Sequence, residues 1–266
     1  MRHGLILAAL ACCAGFAGCA GIRPLPDAPP EGWQPLAPGL LHREAAPGQR
    51  LLRLDLQEPT LRLSLTPPSE RGQPIDTMAM AREARAAFNA SFFDRGFRVR
   101  GLTVSEGEAW PEPMAPQSSP LLACDARQRC SMQLEPPHAL PPGTHTAVAG
   151  TPWLVRAGQP RTEADDAGCA NLCAQPHPRT AIGLDATRRH LLVLLAEGRR
   201  DDRPGLSLAQ AARLLHAHGA TEALNLDGGG SSTLLLDGRL AMQRPANEPG
   251  QRPIANALVI RAADAR

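Results

Sequence analysis

The run Leu224-Asn225-Leu226-Asp227-Gly228-Gly229-Gly230-Ser231-Ser232-Thr233-Leu234 gathers a carboxylate, a carboxamide and several hydroxyls around three glycines, between two apolar stretches. Glycine opens backbone conformations closed to other residues and lets main-chain N–H groups approach a ligand. Asn225, Asp227, Ser231 and Ser232 add acid, base and hydrogen-bonding chemistry. A flexible Gly-Ser connector seldom runs straight into apolar strands on both sides, so the segment reads as a built loop. All 28 basic residues are arginine, because the chain has no lysine. Schiff-base lysines, phosphate-loop lysines and Ser-Lys dyads are therefore excluded, and a bound phosphate or carboxylate must be held by arginine or by backbone N–H. His216 and His218 face different ways on a helix and cannot share a metal. There is no His-Glu-x-x-His, Gly-x-Ser-x-Gly or Walker motif. A formal charge of +2 without basic runs gives no support for nucleic-acid binding.

The elements around this loop follow from local patterning. Leu52, Leu54 and Leu56, then Leu61, Leu63 and Leu65, alternate with polar residues as two half-buried strands, with Gln57 to Thr60 turning between them. Asp76 to Ala87 is rich in Ala and Met, lacks a breaker and predicts a helix leading into Phe88-Asn89. Ser207 and Gln210 form a capping-box pattern at the head of a second helix, with Leu208, Ala211, Ala212 and Leu215 on one face and Gly219 placed to stop it. The strand Ala223 to Leu226 follows, so the glycine loop sits at a strand's C-terminal tip. Leu234 to Leu240 reads as a hairpin through Asp237-Gly238. Pro111 to Gly143, rich in Pro and polar residues, reads as irregular or inserted. The expected fold class is α+β, a single domain over residues 34–263 with mixed β-sheets and flanking helices.

Ahead of that domain, Met1-Arg2-His3-Gly4 and the apolar Leu5 to Ala17 form a secretory signal over residues 1–18, too short to span a bilayer comfortably. Phe16-Ala17-Gly18-Cys19 is similar to a bacterial lipobox, with Cys19 as the lipid anchor and a Pro-rich tether over residues 19–33. Ala20 in place of Asp favours an outer-membrane lipoprotein facing the periplasm or the surface. Ordinary cleavage after Ala17 or Ala20 is the alternative. Cys124/Cys130 and Cys169/Cys173 pair as disulfides in an exported chain, the first closing a hairpin tip and the second a small loop. Their spacing does not match zinc knuckles.

Several segments spread over most of residues 50–262 resemble the phosphodiester glycosidase family. Asn225-Leu226-Asp227-Gly228-Gly229-Gly230-Ser231-Ser232 is similar to its signature almost without change. His177-Pro178-Arg179-Thr180-Ala181-Ile182-Gly183 resembles its Arg-Thr segment entering a strand, and Arg252 to Ala257, Asn256 included, its closing strand. Glu197-Gly198-Arg199 stands where the family shows Asp-Gly-Arg. Asn89-Ala90-Ser91-Phe92-Phe93-Asp94 stands where it shows Asn-Gly-Gly-Phe-Phe-Asp.

The resemblance implies hydrolysis of the glycosidic bond of sugar-1-phosphodiesters in glycans or glycolipids. Arg179 would grip the phosphate, with Arg199 or the N–H groups of Gly228 to Ser231 completing the cradle. Asp227 first, Glu197 second, would be the base or nucleophile at the anomeric carbon. Asn89, Asp94, Thr180, Asn225, Gly228, Gly229, Gly230, Ser231, Ser232 and Asn256 would bind the substrate. No cofactor is required, although a divalent cation at Asp227 and Glu197 is conceivable. The alternative is a non-catalytic phosphoglycan-binding lipoprotein that handles exopolysaccharide.

Overall fold

The strand His190–Ala196 is apolar at every position from Leu191 to Ala196 because both of its faces are covered. Leu191, Val193 and Leu195 point into the main core, while Leu192, Leu194 and Ala196 pack under a helix. In the computed structural model, which describes residues 29–115, 119–133 and 139–263, this strand lies near the middle of an eight-stranded sheet. The order is Gln34–Ala37, Leu40–Ala46, Gln49–Asp55, His190–Ala196, Arg179–Asp185, Ala220–Asn225, Trp153–Arg156 and Gln159–Pro160. A five-stranded sheet of Arg239–Leu240, Leu234–Leu236, Ala86–Asn89, Ala257–Ala262 and Leu61–Leu65 faces it. A second five-stranded sheet, with Leu121–Asp125 and Thr144–Ala149 at its heart, contributes Leu122, Met132 and Val148 to the same core.

The domain is mostly β with few helices. Every described strand pair is antiparallel, so the sheets expected to be mixed are not. The expected helix over Asp76 to Ala87 shrinks to a turn at Ile75–Thr77 and one helical turn at Ala79–Arg82, after which the chain enters the strand Ala86–Asn89. The leucine strands on either side of Gln57 to Thr60 do not pair. Gln49–Asp55 joins the large sheet and Leu61–Leu65 the facing one, so the turn carries the chain across the sandwich. Within the stretch expected to be irregular, Leu121–Asp125 and Cys130–Gln133 form a hairpin whose tip the Cys124–Cys130 disulfide closes.

The expected second helix and Asp-Gly hairpin are present. Ser207 and Gln210 make both bonds of a capping box on the helix Leu208–Ala217, whose apolar face packs on the large sheet. Gly219, at φ +100°, ends it. Asp237 and Gly238, at φ +47° and +72°, make the tight turn between Leu234–Leu236 and Arg239–Leu240. Among the described residues no helix is long and apolar enough to cross a membrane. The signal segment, Cys19 and residues 19–28 of the tether lie outside the described residues.

The buried side chain of Gln128 stitches the disulfide hairpin to the core. Its Oε1 accepts from Leu63 N–H at 2.7 Å, and its Nε2 donates to the Leu61 carbonyl at 2.9 Å. Gln128→Ala strands both backbone groups in the interior, so the unfolding free energy from a denaturant titration should fall by about 2 kcal/mol.

Candidate active site

Strand ends from the two facing sheets meet at one rim of the sandwich. Arg179–Asp185 begins there and Ala220–Asn225 ends there, both in the large sheet; Ala86–Asn89 ends there in the facing sheet. The glycine loop bridges the gap, leaving the large sheet after Asn225 and entering the other at Leu234.

Asn89 fastens the loop. Its Nδ2 donates to the Asp227 carbonyl at 2.6 Å, and its Oδ1 accepts from the Thr180 hydroxyl at 2.7 Å and from Thr233 N–H at 3.1 Å. Asp227 N–H donates to the Ala90 carbonyl, and Leu226 N–H to that of Thr180. Asn256 supports the same strand end from behind, accepting from Ser91 N–H and donating to the Ser91 hydroxyl. Thr180, Ser232 and Asn256 are buried under the loop. Asn89, Thr180, Ser232 and Asn256 thus position the site from beneath and do not line its cavity.

That cavity, of about 330 Å³, is lined by Asn225, Asp227, Gly228 and Gly229 from the loop side, by Arg179, Arg199 and Arg252, and by Phe92, Asn171, Leu172 and His177. Asp227 is the only carboxylate among these residues. Burial pushes its pKa up to about 6, against the opposing pull of the Ser231 hydroxyl, Gly228 N–H and the Arg252 charge. Arg179 is 3% exposed. Its Nε donates to the Leu206 carbonyl at 2.9 Å, and its Nη2 to the carbonyls of Leu172 and Gln175 at 2.5 and 3.2 Å, which leaves Nη1 outside these bonds. Burial, with a smaller contribution from Arg199, lowers its pKa to about 10, so it stays cationic at neutral pH. Asn225 is also buried. Its Nδ2 donates to the Thr151 carbonyl, and its Oδ1 is buried with no hydrogen-bond partner.

The glycines serve a purpose other than the expected one. Gly228 N–H donates to the Asp227 carboxylate, Gly229 N–H to the Pro178 carbonyl, and Ser231 N–H to the Gly228 carbonyl, so these donors are spent within the protein and form no phosphate cradle. Gly229, at φ +61°, lets the Arg199 guanidinium lie over it; an added Cβ would stand 3.1 Å from Nη2. At Gly230 a Cβ would stand 2.4 Å from Cζ of Arg252, inside the Arg252–Glu248 ion pair. The glycine faces are seats for two arginines.

Two expected site residues lie elsewhere. Glu197 is buried, accepts from Arg203 at 2.6 Å and from Gln243 N–H at 2.9 Å, and does not line the cavity, so the conceived cation pair with Asp227 has no second carboxylate. Asp94 caps its own turn through Gly96 N–H and Arg98 N–H and pairs with the Arg98 side chain. Among the described residues no cluster of three or more His, Cys, Asp or Glu side chains could hold a metal.

Phe92, Asn171, Leu172 and Arg252 were not singled out from sequence. Asn171 and Leu172 ride on the small ring closed by Cys169–Cys173, which forms one wall of the cavity. His177 grips that ring by donating from Nε2 to the Asn171 carbonyl at 2.8 Å.

Residues 82–261 match the family model described as phosphodiester glycosidase. The chain belongs to the phosphodiester glycosidase family. Among curated relatives, it is 36% identical over 105 residues to human N-acetylglucosamine-1-phosphodiester alpha-N-acetylglucosaminidase, covering 35% of this chain and 20% of that one. It is 28% identical over 175 residues to an SPbeta prophage-derived uncharacterized protein of Bacillus subtilis, covering 63% of this chain and 26% of that one. The matched segments therefore span only about a fifth to a quarter of these relatives' lengths. The fold is shared with the catalytic domain of the zebrafish N-acetylglucosamine-1-phosphodiester alpha-N-acetylglucosaminidase, at TM-score 0.65 and 20% identity, covering 84% of this chain and 77% of that one. A putative exported protein from Burkholderia pseudomallei gives TM-score 0.62 at 17% identity, with 80% and 73% covered.

Two outcomes test this geometry. Asn89→Ala leaves a hydroxyl, an N–H and a carbonyl without their buried partner and should cost about 3 kcal/mol, read from the denaturant midpoint. A carbon-detected NMR titration should place the Asp227 carboxyl midpoint near 6. In Arg252→Gln it should move upward, because the charge that favours the ionised form is gone.

Proposed function

We propose that this protein is an exported hydrolase of sugar-1-phosphodiesters in glycans or glycolipids, held at the cell envelope through Cys19. One observation carries the reading: a single buried carboxylate, Asp227, shares a cavity with Arg179, Arg199 and Arg252. The substrate phosphodiester is anionic, and the two arginines not held in an ion pair in this cavity, Arg179 and Arg199, match it in charge and fork geometry. Asn225 forms part of the wall beside the sugar. Asp227, ionised above about pH 6, acts at the anomeric carbon as base toward water or as nucleophile.

The C1–O bond breaks with its electron pair leaving on the phosphate oxygen, and water supplies the new C1–O bond and the proton. A phosphomonoester is a far better leaving group than an alcohol. One carboxylate therefore suffices where most glycosidases need two, which agrees with the absence of a second among the residues lining the cavity. The disulfides Cys124–Cys130 and Cys169–Cys173 support an oxidising location. Glu197 in place of Asp, and Ala90 and Ser91 in place of glycines, are the departures that would favour the binder alternative. Glu197 makes its bonds to Arg203 and Gln243, so its extra methylene bears on packing rather than on the reacting group.

The test is release of free sugar by the purified protein from phosphodiesters of N-acetylglucosamine, glucose and galactose, with and without divalent cations. Wild type should turn over at least one. Asp227→Asn and Arg179→Ala, shown to be folded, should each lose at least a hundredfold in kcat/KM. Silence of the folded wild type on the whole panel would overturn the reading.

A further inference from the structure

A second groove, of about 430 Å³, opens from the arginine cavity, with Phe92 and Leu172 lining both. Beyond that seam its wall is Phe93, Met114, Pro152 and the Cys169–Cys173 disulfide. Phe93 is held in place by stacking on Phe97, with ring centroids 5.4 Å apart. Two arginines also border the groove, Arg100 and Arg161, and the charge of Arg161 is cancelled by buried Asp166, 2.6 Å away. Leu172, at the seam, is 57% exposed, one of only two large apolar side chains standing prominently in solvent among the described residues. A largely apolar surface that meets the arginine cavity at the seam of Phe92 and Leu172 suits the other ester of the phosphodiester.

We propose that this groove receives an apolar alcohol, making the substrate a sugar phosphate esterified to a lipid chain. The inference rests on the hydrolase reading and names its substrate class. A carbohydrate leaving group would need hydrogen-bonding partners along its length, whereas two aromatic rings, a thioether, a proline ring and a disulfide offer contact area. The sequence expectation of a lipid anchor at Cys19 keeps the domain within a short tether of a membrane, where lipid-linked sugars reside.

The test uses octyl phosphate and methyl phosphate as probes, with binding read by calorimetry. Octyl phosphate should bind wild type at least tenfold tighter, about the gain from burying two methylenes. Met114→Gln should remove most of that difference without changing methyl phosphate binding, and Met114→Leu should keep it; thermal melts confirm that both variants fold. Equal affinity of the two probes for wild type, or a difference that survives Met114→Gln, overturns the proposal. The same comparison is then made in kcat/KM with octyl and methyl phosphodiesters of the sugar. Turnover of the methyl diester with no octyl advantage refutes the groove and leaves the hydrolase reading standing. A Met114-dependent octyl preference in binding, with neither diester hydrolysed, upholds the groove and refutes the activity.

Discussion

The carboxamide of Asn89 is the interaction on which the rest of the site depends. It ends a strand of one sheet, yet its three bonds go to Thr180 in the opposite sheet and to Asp227 and Thr233 at the two ends of the loop that bridges them. Only a side chain with both a donor and an acceptor at its tip can do this, and it must be short enough to stay buried. Asn256 repeats the device one layer back on Ser91. The loop's position is therefore set by the separation of two sheets whose cores are packed with leucine, which is far stiffer than the loop itself.

Held this way, the loop brings opposite charges close without joining them in an ion pair. Asp227 is kept partly out of water and takes a hydrogen bond from Gly228 N–H, while Arg199 and Arg252 rest on the bare faces of Gly229 and Gly230. Arg179 is restrained by three backbone carbonyls rather than by a carboxylate. Carbonyls orient a guanidinium while leaving its charge uncompensated, and an uncompensated charge is what an anionic ligand can use.

Much of this could be read from the chain, though unevenly. The capping box at Ser207, the tight turn at Asp237-Gly238 and both disulfides follow from local chemistry that the fold leaves intact. The glycine loop was legible from residue type and spacing, and Arg179 from the resemblance of its segment to the family's Arg-Thr run; Gly228, Gly229 and Arg179 line the cavity. The stretch Asp76 to Ala87 misleads because its Ala and Met content favours helix locally. Its last residues, however, lie between Leu234–Leu236 and Ala257–Ala262, where sheet pairing and burial on both faces override propensity. Glu197 and Asp94 illustrate the opposite limit, since a carboxylate beside a motif looks the same in sequence whether it faces a cavity or an arginine. Arg252, four residues ahead of Asn256, had a signal available in its place beside a family segment. Asn171 and Leu172 had none, because nothing local tells where a five-residue ring will dock.

The absence of lysine acquires a physical meaning at residue 179. Burial there brings the arginine down to about 10 and leaves it charged. An ammonium begins its descent from a lower starting point and sheds its proton far more readily in such surroundings. The cation at the base of the large sheet is in effect a permanent fixture, as indifferent to the acidity of its surroundings as a bound metal would be. The cavity thus carries a fixed positive charge on either side of neutrality, and the response to acidity within it falls to Asp227.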